Sequence, residues 1–237
     1  MIYKYIGGVV LFIVVLLGIE CYKFRKRIHS IETIKLEDIS SSLQTGDIIF
    51  YRYDNWKQSK FANCFIMNTC QTCLSTIYTH CCIVIRINDV PFLYTAHHKP
   101  EYDYITKTYK SGSMLINPQK YLMAYQGHVV LYKIKKRLRI KKKMKIKIID
   151  YMHNNKYKQF EDNIPKNLNT IFKIVEYEIT DKILCCQIVG DILKLLKLFP
   201  SLFHTSTINL SDIVIMVDTS CKYKAPVIIK NWYFIID

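Results

Sequence analysis

The stretch Asp181–Phe199, DKILCCQIVGDILKLLKLF, constrains this chain more than any other. Its apolar positions 185, 188, 189, 192, 195 and 196 fall on one face at 3.6 residues per turn. That pattern predicts an amphipathic helix with one stripe to bury. Asp181 is a suitable N-cap and Pro200 a stop signal. A helix of this kind needs an apolar layer to cover it, and the rest of the chain offers strands. Ile48–Tyr53 follows a Thr45-Gly46-Asp47 turn signal and reads as a strand. THCCIVIRI (79–87) reads as a second. Asn88-Asp89 forms a turn, and PFLYTAHH (91–98) is its hairpin partner. HVVLYKI (128–134) is another strand. Residues 137–156 are helical in period, with Leu138, Met144, Ile148 and Met152 on one stripe and lysines elsewhere. NLSDIVIMV and APVIIKNWYFIID read as a short element and a closing strand. Strands, a helix, then another helix and strands imply an α+β class with a largely antiparallel sheet.

An uncharged run, YIGGVVLFIVVLLGI, separates Lys4 from Glu20. Its length alone is short of a bilayer core of ~30 Å, but extension to Tyr3 and Tyr22 gives enough for a span with aromatic ends. KFRKR (23–27) follows the run, and no small-residue cleavage pattern is present. The expected organisation is an anchor over 1–22, a juxtamembrane linker over 23–42 and a globular domain over 43–237. The positive-inside rule places that domain on the cytosolic side. The cysteine content agrees: nine is odd, and the pairs Cys81-Cys82 and Cys185-Cys186 are poorly placed for mutual bridging, as expected of a reducing compartment. A single C-x-x-C (Cys70–Cys73) lacks the second pair that a structural zinc site requires. No metal or other cofactor is expected.

Lys and Arg exceed Asp and Glu by 34 to 19, which favours polyanionic or anionic-surface partners. Ten of the fifteen residues in 133–147 are basic. Three readings fit: a solvated helix face, contact with anionic lipid headgroups, or nucleic-acid binding. The last lacks a zinc finger, an RNP-type strand or interleaved aromatics.

The chemistry concentrates on Cys185, in the first turn of the amphipathic helix, and on His80, at the start of a strand. Thr95 and His97 lie two apart on the neighbouring strand and so share a face. A thiol attacks as thiolate; a helix N-terminus and an imidazole both favour that form, and a further polar group orients the imidazole. Spacing alone does not separate such a nucleophile from an ordinary packed cysteine.

The order of GDIIF (46–50), THCCIVI (79–85), FLYTAHH (92–98), CCQIVGDIL (185–193) and LSDI (210–213) resembles the permuted NlpC-type papain-like superfamily, and most of all its YiiX-like branch with the related poxvirus proteins. Lecithin:retinol acyltransferase-like enzymes are more distant members. The resemblance covers about 43–215. It implies a papain-like, circularly permuted NlpC-like α+β fold, with an antiparallel sheet packed on a nucleophile-bearing helix, to which the apolar run adds one N-terminal transmembrane helix. It also implies acyl chemistry through a thioester on a peptide, amide or acyl-lipid substrate. Cys185 then aligns with the nucleophile and His80 with the base. Cys186 is the alternative nucleophile. Thr95 stands where the branch often has Glu, His97 matches the polar third residue of the acyltransferase-like branch, and Gln187 replaces the Glu of a C-S-E motif. Loss of catalysis on a retained fold, leaving a binding or structural protein, is the alternative function.

Overall fold

The computed structural model describes residues 15, 19, 41–52, 78–125, 127–135, 140–161, 181–200 and 208–230. The expected anchor, the linker and Cys64, Cys70 and Cys73 lie outside the described residues, apart from Val15 and Ile19, which are helical and half exposed. No helix among the described residues is long and apolar enough to cross a membrane.

Six strands form one antiparallel sheet: β1 (Ile48–Arg52), β2 (His80–Ile87), β3 (Val90–Asp103), β4 (Thr108–Ile116), β5 (His128–Tyr132) and β8 (Val227–Lys230), in the order β4-β3-β2-β1-β5-β8. The central β1 is apolar at nearly every position because both faces of the sheet are covered. One face packs Ile48, Phe50, Cys81 and Ile83 under the helices α2 (Lys142–Asn155), α3 (Cys185–Leu195) and α4 (Leu210–Thr219). The other packs Ile49, Tyr51, Cys82 and Val84 against Leu43 and the short helix α1 (Pro118–Ala124). Two short strands, β6 (Gln159–Phe160) and β7 (Lys182–Ile183), pair in parallel beside the main sheet.

The Gly-Asp turn before β1 is a structural knot. Gly46 has φ +99°, a conformation suited to glycine. Asp47 is fully buried; its carboxylate accepts the Gln44 N–H at 2.8 Å and the Ile134 N–H at 2.9 Å. The Tyr223 hydroxyl donates to the Gly46 carbonyl at 3.0 Å. Three remote segments thus meet at one turn. Burial, working against these hydrogen bonds and nearby lysines, pushes the Asp47 carboxyl up to about 6.

The β2–β3 hairpin has the expected Asn88-Asp89 turn, both residues at positive φ as a type I′ turn requires. Beyond it the structure corrects several expectations. The hairpin partner does not end at residue 98; β3 continues to Asp103 after a register shift between His97 and Glu101, and β4 follows where sequence suggested only a polar stretch. Asp103 secures that connection by accepting the N–H groups of Ile105, Thr106 and Leu115. The helix expected over 137–156 begins at Lys142, and 136–139 lie outside the described residues. NLSDIVIMV is a helix, α4, capped reciprocally: Asn209 Oδ1 accepts the Asp212 N–H and Asp212 Oδ2 accepts the Asn209 N–H, each at 3.0 Å.

The 181–199 helix is shorter at both ends than its apolar pattern suggests. Asp181 is not its N-cap, because Lys182–Ile183 pair with β6 first; the helix starts at Cys185, after Leu184. It stops at Leu195 rather than at Pro200. The Leu198 N–H returns to the Leu193 carbonyl at 2.8 Å and the Lys197 N–H to the Lys194 carbonyl at 2.9 Å, with Lys197 at φ +58°. This is a Schellman closure with lysine at the left-handed position. Ile188, Val189, Ile192 and Leu193 are fully buried, each worth about 1.5–3 kcal/mol relative to exposure. Leu195, expected on the same stripe, is only half-buried.

Candidate active site

Cys185 is the first residue of α3, where unpaired N–H groups and the helix dipole present partial positive charge. The start of the helix is held by Gln187, whose Oε1 accepts the Leu184 N–H at 2.8 Å. A Glu or a Gln can make this reach-back equally well, so Gln187 keeps the capping role that a Glu would have there.

Around the Cys185 sulfur lie three groups. Cys186, Cys81 and the His80 imidazole are all within hydrogen-bonding reach of it, and the charge on His80 adds to their effect. Hydrogen bonds from Cys186 and Cys81 contribute most, and together with the charge on His80 they outweigh burial. The Cys185 thiol is held well below its ordinary range. The donor role has the opposite effect on Cys186, whose own thiol is pushed well up, and likewise on Cys81, where burial is the largest cause. Of the adjacent pair, the Cys185 thiol is held low and the Cys186 thiol high.

Burial disfavours a charged His80 ring, but electrostatic attraction to Cys185 and Cys82 and hydrogen bonds donated to their sulfurs more than offset it, raising the imidazole to about 10. A lowered thiol beside a raised imidazole is the combination that favours a thiolate–imidazolium pair. The ring is oriented from one side. Thr95 Oγ1 lies 3.0 Å from His80 Nε2 and also donates to the Cys81 carbonyl at 2.9 Å. A hydroxyl has one hydrogen. Since it goes to the carbonyl, Thr95 accepts the proton on Nε2 and leaves Nδ1 as the nitrogen that exchanges protons. Cys82 Sγ stands 3.7 Å from the same Nε2.

Of the two residues expected to orient the imidazole, Thr95 reaches it and His97 does not hydrogen-bond to it. His97 packs its ring edge-on to His80, centroids 5.4 Å apart, and its Nδ1 accepts the Lys99 N–H at 3.2 Å. Burial and the neighbouring His80 charge lower His97 to about 4, so it is neutral at physiological pH. His97 lies at the register shift in β3, where its Nδ1 pairs with the Lys99 backbone two residues on.

Sequence reasoning missed the rest of the surroundings of His80. Tyr51 of β1 lies 5.5 Å from the His80 ring, and Tyr121 of α1 and Tyr125 lie against Tyr51. Cys81 and Cys82 were visible as a pair; strand alternation sends Cys81 to the α3 side and Cys82 to the other, which brackets the start of β2 with sulfur on both faces. Tyr121 had no signal, since α1 itself is short. Cys185 is 6% exposed. All five cysteines among the described residues are free thiols. No group of three or more His, Cys, Asp or Glu among the described residues is arranged to hold a metal ion.

No family model matches the chain, and no curated protein matches it. Among solved structures it is similar to the metalloprotein YiiX of Escherichia coli O157:H7, at a TM-score of 0.41 and 15% identity, over 64% of this chain. The chain spans 65% of the length of that structure.

Proposed function

We propose that this chain is a thiol hydrolase or acyltransferase of papain-like type, with Cys185 as nucleophile, His80 as acid–base and Thr95 as the group that positions the ring. The observation that supports this most is the pairing of a depressed thiol at a helix N-terminus with an imidazole whose Nε2 proton is already accepted by Thr95. The Cys185 thiolate adds to an acyl carbon, forming a C–S bond while the carbonyl electron pair moves to oxygen. The tetrahedral centre then expels an amine, alcohol or thiol leaving group, which takes the proton from His80 Nδ1. This leaves an acyl thioester on Cys185 and a neutral imidazole. His80 next removes a proton from water, or from an acceptor hydroxyl or amine, which adds to the thioester carbon; the thiolate departs and the pair is restored. The substrate is an amide, ester or thioester, as in a peptide or an acyl lipid.

The test is labelling of the full chain by an acyl-ester probe that traps a thioester. Labelling of the native chain at a rate well above that of the denatured chain, with loss of the label in Cys185→Ala but not in Cys186→Ala, is expected. Labelling that survives Cys185→Ala refutes the assignment.

A second reading rests on the near closure of Cys185, 6% exposed, and on a hydroxyl where a carboxylate would bind the imidazole more tightly. On that reading the fold is a binding module and catalysis has been lost; it predicts no labelling of Cys185 faster than in the denatured chain. We also propose that residues 1–22 anchor the domain at the cytosolic face of a membrane. A reporter fused to the C-terminus should then be digested by protease added to sealed cytosol-side-out vesicles, and its protection would reverse the orientation.

A further inference from the structure

We infer that the outer face of α2 is a docking surface for an anionic lipid bilayer. The helix buries Ile148 and Met152, with Asn155, Met144 and Tyr151 beside them. At 100° per residue, Ile146 points almost directly away from that stripe, and Ile149 lies about 60° from Ile146. Both are exposed, at 49% and 42%. A solvated helix face does not need isoleucine at its outermost position.

Cations surround these two side chains. Lys142 and Lys143 share the outer face with His153, and Lys145 and Lys147 flank it; all are exposed. Asp150 is the acid on the same face. Lysines around a small apolar tip match the chemistry of the lipid interface. The ammonium groups meet anionic headgroups, and the isoleucines enter the acyl boundary. A nucleic acid would use the charges but would leave Ile146 and Ile149 in water, and no aromatic side chain stands on this face to stack on bases. The surface does not depend on the thiol chemistry or on the first 22 residues.

Lysine acylation footprinting of the full chain tests this, with vesicles of phosphatidylcholine alone or of phosphatidylcholine with phosphatidylserine. Lys142 and Lys143 are expected to lose reactivity roughly fivefold or more on the anionic vesicles, in line with the attraction of each basic residue to such a surface. Lys107, in the β3–β4 turn, serves as the reference and should not change. Molar salt should restore the reactivity. The double substitution Ile146→Asp and Ile149→Asp, on exposed positions, should abolish the protection while leaving Cys185 labelling unchanged. Equal reactivity on both vesicle types overturns the proposal, as does protection that persists in the double variant. Stronger protection by single-stranded RNA than by anionic vesicles overturns it in favour of nucleic acid.

Discussion

At the scale of single residues, the site turns on the one hydrogen of Thr95. Because that hydrogen goes to the Cys81 carbonyl, the oxygen accepts from His80 and selects its tautomer. Thr95→Val removes both bonds in a buried place, so a loss of about 1–3 kcal/mol of stability is expected in chemical denaturation. The alkylation rate of Cys185 at neutral pH should fall roughly tenfold, the equivalent of one hydrogen bond of about 1.4 kcal/mol. Thr95→Ser should restore both, which a purely steric role would not explain. His97→Phe, by contrast, should leave the alkylation rate within about twofold, since His97 meets His80 through ring contact only. A second expectation concerns pH. An ordinary thiol near pKa 8.5 gains reactivity about tenfold per unit below that value. Cys185, with its thiol held low, should alkylate at a rate nearly flat from neutrality down into the acid range, and Cys186→Ala, which removes a donor, should shift the fall-off upward. Cys185 and His80 could be singled out in the sequence because each opens a recognisable element, and Thr95 because it lies on the hairpin strand paired with β2. The sequence could not separate Thr95 from His97, since both have the same strand parity and only the local register of β3 distinguishes them.

At the scale of elements, legibility followed apolar density. β1, β2 and α3 carry unbroken or strictly periodic apolar residues and could be read directly. β4 could not: as an edge strand its first half, Thr108–Lys110, meets solvent, and its polar residues resemble a loop. α1 has seven residues, too few for a periodicity signal, although Asn117-Pro118 is a good helix start and Asn117 Oδ1 does accept the Lys120 N–H. The start of α3 was misplaced because Ile183 is apolar whether it serves a helix or a strand. The far end of α3 offers an element-level prediction. Lys197 occupies the left-handed position of the Schellman closure at φ +58°, where a side chain costs roughly 1 kcal/mol relative to glycine. Lys197→Gly should therefore raise the unfolding free energy by about 0.5–1 kcal/mol, and a fall would show that the lysine makes a compensating contact.

For the whole molecule, proton linkage links the site to stability. Between the unfolded values near 6.5 for His and 9 for Cys, the unfolded chain holds one proton on the pair, on sulfur. The folded chain also holds one, on nitrogen. The pair therefore adds no pH slope in that range. Below about 6.5 the unfolded pair takes a second proton and its stabilisation falls as pH drops. Above about 9 the unfolded pair gives up its proton first and the stabilisation is lost as pH rises through about 10. Asp47 acts in the opposite sense on the acid side. Its folded value, raised to about 6 by burial, favours the protonated acid, so its contribution is present below about 3.8 and is lost as pH rises through about 6. Unfolding free energies measured from pH 4 to pH 10 should show a plateau from about 6.5 to 9. Cys185→Ala should lessen the alkaline fall while leaving the part that the raised Cys81 and Cys186 thiols and the buried tyrosines contribute, and an unchanged fall would assign all of it to those groups.

The strand that carries His80 and the helix that carries Cys185 are separated by about a hundred residues, and the turn before β1 is closed by a tyrosine, Tyr223, near the other end of the chain. During synthesis the early strands emerge first and can pair among themselves. Until the segment that carries α3 has emerged, His80 has the neighbouring Cys82 beside it but not Cys185. The juxtaposition of imidazole and thiol is thus a late product of folding, absent while only the early strands have paired.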